Sequence, residues 1–511
     1  MPLRVIELDG SSLAVDDVID AGRGLATVCI SDSSKITMQA SREAVLRILD
    51  SDRVVYGINT GFGALSSVTI DPNQLEELQR NLIRSHACGV GERMHPEHVL
   101  MMMVIRANAI AKGNSGARVE LTELLASMVN HRIAPVIPRI GSLGASGDLA
   151  PLSHLTLGLI GEGECNIIGD NGSWEVVQSD SALRSVGLEP LVLQAKEGLS
   201  LINGTSQMCT YLALCVSNLD HLLLAADAAI SCSLEAIRGS HSPFDHRIHQ
   251  ARPHVGQSIS AARISALLAD SRINDSHADC DRVQDAYSFR CSPQVHGPVI
   301  ELLRETRRML EIELNSATDN PLVFTDGMMD DVISGGNFHG QNLALASDYL
   351  AIACHELASI SERRINQVLD PQWSGHSAFL ANDEGLESGL MIIQYVAAAL
   401  VAELHLMAQP ATTSNVPVSL GKEDHASMGA TGTYRTFRAT EFLSQVIANE
   451  MICSAEALGR IVERPGKGVA CVADWIRSHV PPLEADRGMT ADCERLSSAL
   501  LKGELSSALG D

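Results

Sequence analysis

Gly141-Ser-Leu-Gly-Ala-Ser-Gly-Asp-Leu-Ala-Pro-Leu152 holds an Ala145-Ser146-Gly147 tripeptide in a run with almost no side-chain bulk. Its three glycines let the backbone take conformations that other residues resist. One consequence is chemical. If the Gly147 nitrogen reaches the Ala145 carbonyl, the backbone can cyclise, and loss of water gives an imidazolone. Dehydration at Ser146 adds an exocyclic methylene. The product is an electrophile that no standard side chain supplies. The competing reading is a glycine-rich turn before a helix, so the surrounding sequence has to decide.

Working outward, strand-like segments come early, at Leu3–Leu8, Leu25–Ile30 and Lys35–Met38, and a hairpin is predicted from Glu164–Ile168 through Gly169-Asp-Asn-Gly172 to Ser173–Val177. Helical patterns lie between them at 70–85, 94–112 and 118–130. From Glu197 onward the pattern is almost wholly helical, with candidates at 204–237, 296–315, 340–368, 387–408 and 429–460. Several exceed ordinary helix length and are apolar on more than one face. Such helices need cover on all sides, from each other or from further subunits. The expectation is a mainly α protein, with a smaller mixed N-terminal domain over 1–200 and a long central helical bundle over 201–511.

Composition agrees. The chain has 511 residues, 45% of them apolar but only 3% aromatic, which suits an aliphatic core of close-packed helices. A net charge of −24 disfavours nucleic acid and anionic membranes as partners. Twelve cysteines without a Cys-x-x-Cys pair read as reduced, mostly buried thiols of a cytoplasmic protein. Glu7 and Asp9 interrupt any signal-like run. Leu390–Met407 contains Gln394, Glu403 and His405, and reads as a buried core helix.

Polar clusters recur where loops meet helix ends: Tyr56-Gly-Ile-Asn-Thr-Gly-Phe-Gly63, Ser85-His86, Leu201-Ile-Asn203-Gly-Thr-Ser206, Gln284-Asp-Ala-Tyr287-Ser-Phe-Arg290, Ile333-Ser-Gly-Gly-Asn-Phe338-His-Gly-Gln341 and Lys422-Glu423-Asp-His425. Together with the Ala-Ser-Gly loop, and in this order, these segments resemble the aromatic amino acid ammonia-lyases, closest to the histidine ammonia-lyases. The match runs from about residue 50 to 460. The resemblance implies the ammonia-lyase/fumarase-like architecture and homotetramers whose active sites take residues from three subunits. It also implies a 4-methylideneimidazol-5-one group formed by residues 145–147, with no metal or nucleotide.

The chemistry explains the residue types. Removing ammonia from an α-amino acid requires taking a weakly acidic β-proton and expelling a poor leaving group. An electrophile changes both, and a base must reach the β-carbon. By resemblance Tyr56 is that base; a phenol normally titrates near about 10, so its site must depress that value. Tyr287 and Glu423 are the other catalytic candidates. Arg290 suits a substrate carboxylate, because guanidinium pairs bidentately. Asn203 can bond the prosthetic group or the carboxylate, or cap a helix. Gln284, Phe338 and Met391 complete the expected substrate pocket. His86 matches histidine and tyrosine lyases, and Glu423 matches histidine lyases; a carboxylate facing an imidazole can hold it or exchange a proton with it. The implied reaction converts L-histidine to urocanate and ammonia. A tyrosine lyase, an aromatic 2,3-aminomutase and a non-catalytic homologue are the alternatives.

Three departures bear on substrate: Lys422 replaces an amide, His376-Ser-Ala-Phe-Leu380 replaces Pro-Pro-Phe-Leu, and Asn342 stands where proline often follows Gln341. Lys422 either pairs with an acidic neighbour or admits a substrate with a polar group. The cluster His241, His246, His249 and His254 reads as a surface loop rather than a metal site, and Gly141, Gly144 and Gly147 do not fit a dinucleotide fingerprint.

Overall fold

The computed structural model describes residues 3–51, 53–63, 68–276, 283–325 and 330–510. The chain divides into two compact units. The first comprises Met1–Leu214, Arg307–Ser347 and Pro410–Tyr434; the second comprises Cys215–Thr306, Asp348–Gln409 and Arg435–Asp511.

The first unit is mixed. Parallel strands Arg4–Leu8 and Ala26–Ile30 pair in register from Arg4↔Ala26 to Leu8↔Ile30. Ala134–Pro135, Glu164–Ile168 and Trp174–Gln178 form a three-stranded antiparallel sheet, in which the expected hairpin closes one residue later than the pattern predicts. Two small antiparallel pairs, Val90–Arg93 with Pro138–Ile140 and Leu322–Thr325 with Asp330–Ile333, complete the strands among the described residues. The helix Pro96–Ala111 is buried from Val99 to Ala111, including Arg106 and Asn108. Lys35–Met38 is not a strand. It lies inside the helix Asp32–Leu49, whose first turn is capped by the Ser31 hydroxyl accepting from the Ser34 amide at 3.1 Å. Ser34, Met38, Ser41, Arg42 and Val45 are buried at helical spacing, and this face outweighs the local Lys-Ile-Thr-Met alternation.

The regular elements assigned wholly to the second unit are helical among the described residues. Four long helices run Ser206–Ala236, Ser292–Leu314, Gln341–Leu369 and Gly429–Leu458. All four were expected from the apolar pattern, within a few residues at each end. Two of them, Ser206–Ala236 and Gln341–Leu369, are long and apolar enough to cross a membrane, but most of each apolar window is buried in protein. Within the second unit the fully buried Glu450 binds Arg364 bidentately, Oε1 to Nε at 2.5 Å and Oε2 to Nη2 at 2.8 Å. Hydroxyls of Ser233 and Ser361 donate to the same carboxylate at 2.7 and 2.6 Å. A buried pair survives only when its remaining lone pairs are met, as they are here.

Met391–Met407 departs from expectation: only Ile393, Ala397 and Leu404 are buried, while Ile392, Tyr395 and Leu406 are 60%, 63% and 65% exposed. Its apolar surface is not covered by its own chain, so it is not a core helix of the protomer. The histidine cluster is also not simply a surface loop. His249 is buried, with Nδ1 beside the Gln257 amide at 2.9 Å and Nε2 beside the Pro243 carbonyl at 3.2 Å. No group of metal-ligating side chains occurs among the described residues. Six of the eleven described cysteines are buried.

Glu450→Ala leaves the Arg364 guanidinium buried without its partner. This substitution is expected to cost about 3–5 kcal/mol, read as a lowered guanidinium-chloride midpoint. A change below about 1 kcal/mol would show that Arg364 finds another partner or solvent.

Candidate active site

The Ala-Ser-Gly loop is held by hydrogen bonds on both sides. The Ser142 hydroxyl lies 3.2 Å from the Gly147 carbonyl, 2.8 Å from Asp148 Oδ1 and 3.1 Å from the Gly144 amide. The Leu143 carbonyl accepts from the Met428 amide at 2.7 Å. The Gly144 carbonyl accepts from the Ser427 hydroxyl at 2.9 Å and the Gly340 amide at 3.3 Å. The Ser146 carbonyl accepts from Asn203 Nδ2 at 2.9 Å, and the Asp148 amide donates to the Gly204 carbonyl at 2.7 Å. The tripeptide itself is less engaged. The Gly147 nitrogen and the Ala145 carbonyl oxygen make no hydrogen bond among the described residues. These belong to the two groups that ring closure would join.

Close approach explains two of the glycines. Gly147 has φ +76° and pairs with Gly204, whose carbonyl oxygen would lie 2.3 Å from a Cβ at 147. Gly144 has φ +66°, and a Cβ there would lie 2.3 Å from the Ser427 hydroxyl. Both positions exclude larger residues on conformation and on space.

Asp148 anchors the loop from below. It is fully buried, and its Oδ2 accepts from the Gln207 and Met208 amides at 2.8 and 3.1 Å. These are first-turn donors of the Ser206–Ala236 helix, which have no partner within the helix. The carboxylate therefore caps a helix that begins dozens of residues away, where the N-terminal dipole favours negative charge. Burial still wins and pushes Asp148 up to about 6, against the Met208, Ser142 and Gln207 hydrogen bonds that lower it. Asn203 does not cap that helix. It ends the short helix Glu197–Ile202, with its side chain turned to the Ser146 carbonyl.

The other candidates in the first unit lie on separate segments, some of which meet. Tyr56 is half-buried, and its hydroxyl accepts from the Gly63 amide at 3.4 Å. A Cβ on Gly63 would lie 3.3 Å from the Ser419 hydroxyl, so the Tyr56 loop and the segment leading to Glu423 meet. Backbone bonds between Val418 and Glu423 close that segment at 2.9 and 3.3 Å. His86 is the last residue of the helix Leu75–His86, and its Nδ1–H donates to the Leu82 carbonyl at 2.9 Å. The neutral ring thus presents Nε2 as an acceptor. Burial lowers the His86 pKa, while the Leu82 bond and the charge of Glu423 act the other way, which places the two residues in electrostatic reach. Phe338 is half-buried two residues before Gly340, whose amide reaches the loop. Lys422 is exposed and forms no ion pair among the described residues, so pairing with an acidic neighbour of its own chain is not observed.

Gln284, Tyr287, Arg290 and Met391 belong to the second unit. Tyr287 is 70% exposed, and the Arg290 guanidinium lies over its ring at 4.4 Å. Arg290 Nε donates to the Asp285 carbonyl at 3.1 Å, and its terminal nitrogens have no partner among the described residues. Gln284 is exposed, and Met391 begins its helix half-buried.

A model of the aromatic amino acid lyase family matches residues 13–478. The chain belongs to that family. Among relatives of this family member, it is 45% identical over 505 residues to a histidine ammonia-lyase of Myxococcus xanthus, covering 99% of this chain and 98% of that one. A Gloeobacter violaceus histidine ammonia-lyase is 45% identical over 506 residues, covering 98% and 97%. The family member's structure is similar to that of histidine ammonia-lyase from Trypanosoma cruzi, with TM-score 0.91, 40% identity and coverage of 99% and 95%. It is also similar to tyrosine aminomutase from Streptomyces globisporus, with TM-score 0.91, 38% identity and coverage of 100% and 98%. The ammonia-lyase architecture expected from the sequence motifs is therefore the one found.

Motifs do not single out Asp148 or the polar groups packed below it. The available signal was a lone arginine, Arg106, within the apolar run 99–111.

The Glu423 charge supports the protonated His86 ring. Glu423→Gln is expected to lower the His86 pKa further, read by NMR titration of selectively labelled histidine. An unchanged or raised value would show that Glu423 does not face the imidazole.

Proposed function

We propose that this lyase eliminates ammonia from L-histidine to give urocanate, with residues 145–147 closed into 4-methylideneimidazol-5-one. The observation that carries the ring is the loop's bonding pattern: the carbonyls of Leu143, Gly144, Ser146 and Gly147 and the Asp148 amide are engaged, while the two groups to be joined, the Gly147 nitrogen and the Ala145 carbonyl, make no hydrogen bond among the described residues. No bulky side chain occupies the tripeptide, and the residues present fit the group. When formed, the ring supplies an electrophile for the substrate's amine or imidazole. Asn203 donates to the Ser146 carbonyl, which stays exocyclic on the ring, and this donor draws electron density out of it.

The remaining roles belong to side chains. Tyr56 takes the β-proton at its phenolic oxygen. Arg290, with its terminal nitrogens unengaged, binds the substrate carboxylate. His86 and Glu423 hold the imidazole, Glu423 accepting from its ring N–H. Tyr287, Gln284, Phe338 and Met391 complete the pocket. We further infer a cytoplasmic homotetramer with shared active sites. The exposed apolar face of Met391–Met407 supports an interface there, because contiguous apolar surface on a soluble protein marks association.

An aminomutase is the second reading, supported by the likeness to tyrosine aminomutase. Ultraviolet assay of L-histidine, L-tyrosine and L-phenylalanine, with product analysis, separates them. The expected result is urocanate from L-histidine, and a loss of about 10²-fold or more in kcat for Tyr56→Phe. A β-amino acid product, or turnover of tyrosine but not histidine, would overturn the assignment. Turnover of L-histidine at rates usual for the family would also remove an altered substrate for Lys422.

A further inference from the structure

Beneath the reactive loop lies a buried charge cluster that no part of the elimination uses. Arg106, Lys196, Asp319 and Asp148 are all fully buried. Lys196 pairs with Asp319 at 2.8 Å and also donates to the Ser200 hydroxyl at 3.2 Å. Asp148 takes its hydrogen bonds from Ser142 and the helix N-terminus, so no cation touches it directly. Arg106 donates through Nη2 to the Ser200 carbonyl, but Nε and Nη1 have no partner among the described residues. The guanidinium is pressed against Gly204: a Cβ there would lie 2.1 Å from Nη1. Gly204 is the residue that pairs with Gly147 and accepts from the Asp148 amide.

A buried guanidinium with two unused donor groups is costly unless its charge serves something nearby. Lys196 is paired with Asp319, Arg106 faces both Asp319 and Asp148, and Glu313 is a further carboxylate acting on Asp148. The charges of Asp319 and then Asp148, the latter across the Gly204 backbone, support the Arg106 cation, and the attraction is mutual. Burial nevertheless brings Arg106 down to about 10, so it stays cationic at neutral pH.

We propose that Arg106 is a positioning residue for ring closure at residues 145–147. Its contact fixes Gly204 against Gly147, and its charge favours Asp148 as the carboxylate that holds Ser142 and the helix end. In the closure, the Gly147 nitrogen bonds to the Ala145 carbonyl carbon. The Ala145 oxygen leaves as water with the protons of the Gly147 and Ser146 nitrogens, forming the ring C=N bond. The Ser146 hydroxyl leaves as a second water with the Ser146 α-proton, forming the exocyclic methylene. Two waters are lost and no oxidant is consumed. Arg106 takes no atom in either step; it holds the atoms that do.

The inference rests on the proposed prosthetic group, and wild-type protein separates the two. If wild type carries its full encoded mass, the prosthetic-group reading fails and this inference fails with it. If wild type lacks two waters, Arg106 is tested on its own by intact mass of folded protein, with circular dichroism as the folding control. Arg106→Met is expected to keep its encoded mass in most molecules. Arg106→Lys, which restores the charge, is expected to regain the two-water deficit. Where Arg106→Met does not fold, Arg106→Gln serves as the neutral variant, because its amide can still donate to the Ser200 carbonyl. A folded neutral variant that matures as fully as wild type, or a Lys variant that matures no better than the neutral one, would overturn the proposal.

Discussion

The Asp148 carboxylate is the constraint on which the candidate site depends. One oxygen accepts the first free amides of the Ser206–Ala236 helix, and the other lies 2.8 Å from the Ser142 hydroxyl. The same residue's amide ties the chain to Gly204. A carboxylate in this position costs free energy to bury, and burial raises its pKa well above the ordinary carboxylate range. That cost is offset by helix-terminal donors that would otherwise be unsatisfied. The result is a loop whose ends cannot drift, with a tripeptide between them whose joining atoms are unbonded.

Two kinds of group flank this loop. Backbone and hydroxyl donors from the segments at 340 and 427–428 hold the carbonyls before the tripeptide. Below, buried charges set the electrostatics. The groups at His86 and Glu423 are titratable and partly open. In the function proposed above, the buried groups hold the reactive centre, whereas His86 and Glu423 recognise the substrate side chain.

Much of this was legible in sequence because the dominant signals are long. The helices at 206–236, 341–369 and 429–458 are apolar over many turns, and the hairpin at 164–178 alternates around an Asp-Asn-Gly turn. Short signals misled: Lys35–Met38 alternates locally, but its burial follows the helix around it. The apolar face of Met391–Met407 was read correctly as apolar and wrongly as core, because a single chain's pattern does not say which surface covers it. The Asp148 cap was illegible for a different reason. N-cap rules look at the residue just before a helix, and here the acceptor lies 59 and 60 positions upstream of its two donors. Asn203, the nearer polar residue, turns to Ser146 instead. Arg106 did carry a signal, since a lone arginine inside an apolar helix must meet something buried.

The central claim is that residues 145–147 are the reactive centre, made by the chain from its own backbone. Peptide mapping of the purified wild-type protein by mass spectrometry tests it most directly. The account predicts that the fragment spanning Gly141–Leu152 lacks two waters relative to its encoded mass, while other fragments match theirs. A fragment of full encoded mass, cleaved and sequenced through Ala145-Ser146-Gly147 as an ordinary peptide, would contradict it.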